Sequence, residues 1–394
     1  MEELPPDITI GLSGRYRSTC GRDVGHIQHP ARTSRGRPTG GYPPRMHDPE
    51  VPGTPLPSSK TAGPLRWGVL APTAMIARLA VIPALVASDT ADLVAFASTS
   101  SGPSELDVAG LRDGVPWYRD YADLLADERV DAVYVPLPNS MHREWVEVCL
   151  AAGKHVLCEK PLAVSASDAT AMAEAAAKSG RVLLEAYMTP YHPRSQAIAT
   201  VIANAELGEP RLAHSVFAGT LGRPGNHRWD PSMGGGVLYD LGIYCIAPLL
   251  AFGGDEPVAV AATAVLSAGA NRATSGGGVD TSFAGLMRFE NGLLASFECS
   301  FEGAERQRLE LVGSAASLSA ERAFTPGGDQ SCYQWSDVGG ATEDRYTGGG
   351  EIYLPMVEEF ASVVAGSRAA RHPLSSTIAI ARTVDRLRSA AGLE

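Results

Sequence analysis

The chain has 394 residues, 44% of them hydrophobic and 20% charged, which is ordinary for a globular protein and enough for two domains with separate cores. A formal net charge of -11 argues against a nucleic-acid footprint, so no nucleic-acid partner is expected. Six scattered cysteines without a C-x-x-C pair imply neither a zinc site nor a disulfide framework, and no metal is assigned. No apolar run reads as a membrane span and no secretory signal is evident, so a cytoplasmic protein without a membrane partner is expected.

Residues 1–63 are rich in Pro and Gly and lack apolar periodicity, so they read as a disordered extension. From residue 64 the pattern changes. LRWGVLA predicts a strand, residues 73–86 a helix, DLVAFAS a strand, YADLLAD a helix and DAVYVPLP a strand. The helix SMHREWVEVCLAAGK, the strand HVLCEK, the helix SASDATAMAEAAAKSG and the strand RVLLEAY follow. Strict alternation predicts an α/β domain over 64–186 with a parallel, doubly wound sheet that binds a dinucleotide at the strands' carboxyl ends. After Tyr187 longer strands take over, among them RLAHSVFAG, DTSFAGLMRF and LLASFECSF, with an Asn-Gly hairpin turn in RFENGLLASF. Residues 187–394 therefore read as an α+β domain, largely an antiparallel sheet, closed by two late helices.

Four segments carry chemistry. The first turn, GVLAPTAMIA, lacks the glycines of a dinucleotide fingerprint, yet its small residues let a pyrophosphate approach the backbone. Ala71, Thr73, Ala74, Met75 and Ile76 are its candidate contacts. After the second strand Ser98, Thr99 and Ser100 stand where a carboxylate would select NAD, which tilts the expected cofactor to NADP, with NAD as the alternative. VPLPNSMH places Pro136, Asn139 and His142 at the end of the fourth predicted strand, where His142 is a candidate liner of the nicotinamide pocket. CEKP puts Glu159 and Lys160 at a strand's carboxyl end, with Glu159 expected to turn away and pair with a helix. Lys160, held extended by Pro161, is positioned to fix a ribose hydroxyl or assist proton transfer. Far downstream, RWDPSMGGGVLYDLGIY sets Asp240 and Tyr244 four apart on one helical face behind a glycine run, with Asn226, Arg228 and Trp229 in the preceding loop as candidate substrate contacts.

In combination these segments resemble the glucose-fructose oxidoreductase, inositol dehydrogenase and MocA family of NAD(P)-dependent oxidoreductases, from about Leu65 to the C-terminus. The resemblance rests on DAVYVPLPNSMH, GKHVLCEKPLA, EAYMTPYHP, GGGVLYDLGIY, VDTSFAGLMRFENG and YLPMVEEFASVV. It implies a Rossmann domain followed by an open-faced sheet domain, a cis Lys160–Pro161 bond and a homo-oligomer, dimer or tetramer, formed through that sheet's outer face. It also implies hydride transfer between NADP and a CH–OH carbon of a sugar, polyol or diol. Lys160 would be an active-site residue, Tyr244 the acid or base, assisted as a phenolate by the nearby ammonium, and Asp240 an orienting group. The tyrosine resembles the branch containing dimeric dihydrodiol dehydrogenase and NADP-linked xylose dehydrogenase. Two departures are the eroded glycine turn and Thr189–Pro190, where many relatives carry Tyr-Arg. The alternative readings are a catalytically silent NAD(P)-binding regulator and a hydrolase or epimerase that retains its NAD.

Overall fold

The structure is a computed structural model that describes residues 63–222, 226–267, 278–328 and 330–393, so the expected extension lies, Gly63 apart, outside the described residues. The apolar run LRWGVL forms β1 (Leu65–Leu70), almost wholly buried because it is covered on both faces. The chain then turns into a helix that begins as a π-helical stretch, Ala77–Val81, and continues as α1 (Ile82–Ala87). Next come β2 (Ala91–Ala97), a two-residue β3 (Trp117–Tyr118), α2 (Tyr121–Ala126), β4 (Ala132–Val135) and α3 (His142–Ala151). β5 (His155–Cys158), α4 (Ala166–Ser179) and β6 (Leu183–Glu185) complete this part. Asp120 caps α2 and Ser165 caps α4, each accepting a backbone N–H of the first turn. The six strands pair in parallel in the order β3-β2-β1-β4-β5-β6. Strand order reverses between β1 and β4, and the crevice at their carboxyl ends is where such a sheet takes its ligand.

The second part opens with α5 (Pro193–Ala203) and β7 (Pro210–Thr220), then α6 (Ile243–Gly253). β8 (Ala259–Leu266), β9 (Asp280–Arg288), β10 (Leu294–Ser300) and β11 (Glu302–Gly313) follow. β12 (Ala316–Glu321), β13 (Gln330–Asp337) and β14 (Thr342–Gly348) complete an eight-stranded sheet. Every described pairing in it is antiparallel except β7 with β10, as the expected α+β grammar requires. Its inner face, including Phe217, Phe297 and Leu311, is buried. By length and composition Pro231–Gly253 could cross a bilayer, which corrects the expectation that no segment is long and apolar enough. In the fold 78% of its apolar window is buried, because it is the core helix under the sheet.

The last helices, α7 (Tyr353–Val364) and α8 (Leu374–Ala390), return to the first sheet. Phe360 of α7 lies 4.9 Å from the Trp67 ring of β1, and Asp385 of α8 accepts the Ala166 N–H at the start of α4 at 2.9 Å. The residues after 187 thus brace the dinucleotide domain as well as building the second one. Cys149, Cys158, Cys245 and Cys299 are buried free thiols. Cys332 is disulfide-bonded, which the spacing gave no sign of.

Candidate active site

At the first turn Ala71 adopts φ 41°, the left-handed conformation that a fingerprint glycine would supply, and its N–H donates to Ala97 O at 2.8 Å. A methyl side chain is small enough to leave the backbone open to a pyrophosphate. Thr73, Ala74 and Ile76 are half-buried there, and Met75 is exposed. Beside this turn Thr73 donates to Ser101 at 3.0 Å, and Ser98 and Ser101 share a 2.6 Å hydrogen bond, both serines being buried. Thr99 and Ser100 are exposed above them. Arg119, just beyond β3, is exposed and donates to Ser101 O at 2.9 Å. The loop therefore does carry an arginine, contrary to a linear reading of residues 98–101. Glu105 is the nearby carboxylate, and its Oε1 is taken by the Gly102 N–H at 2.7 Å, so the hydroxyls around the Arg119 guanidinium fit a dinucleotide ribose bearing a 2'-phosphate.

Lys160 follows β5, and its peptide bond to Pro161 is cis. Its ammonium donates to Asp240 Oδ1 at 2.8 Å and to Asp240 O at 2.9 Å. Asp240 lies in a π-helical turn, Leu238–Gly242, that leads into α6, and Arg228 Nε meets its other oxygen at 3.0 Å. Burial alone would push the Asp240 carboxyl up, but the Arg228 and Lys160 cations outweigh it and hold the group well below the usual range. Tyr244, one turn further on, presents its ring to the Lys160 ammonium, 4.9 Å from the centroid. Its hydroxyl donates to Met188 Sδ at 3.3 Å. Burial pushes the phenol far above its ordinary value, and Tyr353 and the Glu159 and Asp240 carboxyls add to this. The expected activation therefore needs correction: the ammonium sits on the ring face and is bound to Asp240, so in this geometry it does not favour the phenolate.

Residues 73–187 match the oxidoreductase family's NAD-binding Rossmann fold, and residues 195–319 match the GFO/IDH/MocA C-terminal domain. The chain is 32% identical to a D-xylose 1-dehydrogenase (NADP(+)) of Haloferax volcanii, over 82% of this chain and 95% of that one. It is 31% identical to a trans-1,2-dihydrobenzene-1,2-diol dehydrogenase of Sus scrofa, over 60% and 68%. A 3-ketoreductase from Actinomadura kijaniata, solved with NADP and TDP-benzene, superposes with a TM-score of 0.74 at 29% identity, covering 83% of this chain and 98% of its own. The chain belongs to the GFO/IDH/MocA oxidoreductase family.

Within this GFO/IDH/MocA site several expected contacts have structural partners instead. His142 is fully buried between two loops, its ring nitrogens 2.9 Å from Pro161 O and 2.8 Å from Leu137 O, and since burial lowers its pKa the neutral ring donates its single N–H to one of these carbonyls. Glu159 does not pair with a helix: it accepts the Tyr134 phenol of β4 at 2.6 Å and the Lys160 N–H at 3.2 Å. Asn139 donates to Gly234 O at 2.9 Å, fastening the glycine run to the first domain. Pro136 is buried at the end of β4. Asn226 accepts the Arg228 N–H, and Trp229 donates to Gly222 O, so both shape the loop that delivers Arg228. Sequence reasoning missed His227, which burial and the neighbouring Arg228 bring to about 4, and Tyr353 at the start of α7. His227 lies in the loop already singled out at Asn226, Arg228 and Trp229, and Tyr353 opens the segment YLPMVEEFASVV, but only the folded chain brings them to the site.

Proposed function

We propose that this oxidoreductase transfers a hydride between NADP and a CH–OH or carbonyl carbon of a sugar, polyol or diol, with Lys160, Asp240 and Tyr244 as its working residues. The observation that carries the reading is the meeting of Lys160 from the first domain with Asp240 and Tyr244 from the second, at the carboxyl edge of a dinucleotide-binding sheet. The relatives named above act on a sugar or a diol, or bind NADP. Variants of the Actinomadura ketoreductase altered at one lysine and one tyrosine have been crystallised with its ligands, and those two positions are as far apart as Lys160 and Tyr244.

When bound, the dinucleotide supplies the redox chemistry. Ala71 and the turn after it would hold the pyrophosphate, while Thr73, Thr99, Ser100 and Arg119 would hold the adenosine ribose and its 2'-phosphate. Asp240 fixes the Lys160 ammonium and keeps it from wandering, so its position is set before substrate arrives. A substrate oxygen takes the place of Met188 as partner of the Tyr244 hydroxyl. Because burial keeps this phenol protonated at neutral pH, Tyr244 acts as the proton donor to a carbonyl oxygen being reduced. The outer face of the second sheet pairs two copies in a homodimer.

A screen of sugars, polyols, diols and their keto forms with NADP(H) and NAD(H), read at the reduced nicotinamide band, tests the reading. Turnover with NADP on at least one such compound is expected, and Arg119→Glu should raise the KM for NADP at least tenfold while leaving that for NAD within about twofold. Saturable NADP binding with no absorbance change across the panel would instead identify a silent regulator.

A further inference from the structure

The mechanism leaves a buried titratable cluster at the end of β6 unused. Glu185 is buried, and its carboxylate takes three donors from two distant stretches of chain. Oε1 accepts the Leu162 N–H at 2.8 Å, while Oε2 accepts His372 Nε2 at 2.9 Å and the Thr377 hydroxyl at 2.8 Å. Leu162 stands two residues beyond Lys160, on the loop whose Pro161 carbonyl is already bound by His142. His372 and Thr377 come from the far end of the chain, at and just before α8, and both are buried. Burial would push the Glu185 carboxyl up, but the bonds from His372, Leu162 and Thr377 outweigh it, so the group is an anion that needs all of its donors. The His372 ring also rests against Tyr187, centroids 5.0 Å apart, and Tyr187 rests against Tyr244 at 5.4 Å. One imidazole thus touches both halves of the working site: through Glu185 it reaches the loop carrying Lys160, and through Tyr187 it reaches the phenol.

We propose that His372 is a positioning residue that sets Lys160 and Tyr244 relative to one another, with Glu185 as the hub through which the C-terminal segment governs turnover. The proposal rests on the roles given above to Lys160 and Tyr244. It predicts that the hydrogen bond and the ring contact are separable. His372→Phe keeps the ring against Tyr187 but removes the donor to Glu185, and His372→Gln restores an N–H donor without the ring.

The test combines steady-state kinetics with hydrogen exchange on the full chain. His372→Phe is expected to lower kcat about tenfold, the effect of losing one hydrogen bond to a charged group. The KM for the dinucleotide should stay within about twofold, and amide exchange in the peptide spanning residues 159–164 should accelerate. His372→Gln should recover the exchange protection and most of the kcat. Thr377→Val, a milder removal of a donor to the same carboxylate, should show the same pattern at smaller amplitude and serves if His372→Phe does not fold. Unchanged exchange at 159–164 in both donor-deleting variants overturns the proposal. So does a loss of kcat equal in the Phe and Gln variants and matched by a rise in dinucleotide KM, since that is general destabilisation. If the wild type turns over none of the screened compounds, the functional reading fails, whereas the exchange measurement still decides whether His372 holds the Lys160 loop.

Discussion

At the scale of single residues, Asp240 is a buried carboxylate held between two cations. Removing its charge leaves Lys160 and Arg228 facing each other without a counter-ion, which costs about 3–5 kcal/mol in a buried setting. Asp240→Asn should therefore unfold at markedly lower urea concentration at pH 7. The pH dependence has a definite sign. The folded pKa lies below the unfolded value of about 4, so the carboxylate's contribution is fully present above that value and disappears as pH falls through the folded one. The gap between variant and wild type should accordingly shrink only below pH 4, and a gap that closes between pH 5 and 7 would contradict the assignment. Tyr244 gives the opposite kind of profile. With its phenol held far above the ordinary value by burial, the rate of carbonyl reduction should stay flat through pH 9, and alcohol oxidation should still be rising there. A reduction rate that halves near pH 7 would mean that bound substrate brings Lys160 to the phenolic oxygen after all. Lys160 and Asp240 were legible as residues because a strand end and a glycine run announce them. Arg119 and His372 were not, because what makes them relevant is a partner elsewhere in the sequence, Ser101 for the one and Glu185 for the other.

At the scale of elements, alternating strands and helices were readable because buried parallel strands are continuous apolar runs and two of their helices, α2 and α4, carry side-chain caps. The two-residue β3 was missed: a strand that short leaves no periodic signal, and with it went the arginine it delivers. The helical face that places Asp240 and Tyr244 together was readable from a spacing of four, but the π-helical turn was not, since it arises where the helix start is pinned from outside. Asp280 of β9 does the pinning. Its Oδ2 accepts the Leu238 N–H at 2.8 Å, and its Oδ1 lies where a side chain at Gly236 would have to go. Gly236 itself has φ 126°, a conformation that disfavours any L side chain. Gly236→Ala should thus cost about 1–3 kcal/mol and shift the turn that carries Asp240. Thermal unfolding reads the first effect, and a fall in kcat larger than any change in dinucleotide KM reads the second. A variant with wild-type melting temperature and kcat would show that the Asp280 contact does not set this helix.

At the scale of the whole molecule, the second sheet has one face committed to α6 and the other open. Along β7, β9 and β10 the alternation is clean, so every second side chain points away from the core. Charged and polar groups are expected there, yet Leu212, Val265, Leu286 and Leu294 are 55%, 59%, 60% and 53% exposed. Leu212 and Leu294 are direct cross-strand partners, and Leu286 pairs with Ser296, two residues along the same strand, so three of the four form one patch, with the exposed Arg288 opposite Leu294 at its edge. A contiguous apolar patch on a sheet face is what an isologous interface needs, and in such an interface each substitution appears on both sides of the two-fold axis. Leu286→Asp would place two carboxylates in it, each losing hydration without gaining a partner, and should turn the proposed dimer into a monomer. Val338, 78% exposed in the turn between β13 and β14, lies off this face, so Val338→Asp is the matched control and should leave the dimer intact. Light scattering behind size exclusion, at loadings from about 1 to 100 μM to span the affinity of a standard interface, reads both masses. Equal masses for the Leu286 and Val338 variants, or a monomeric wild type throughout that range, would mean that the open face does not pair two copies.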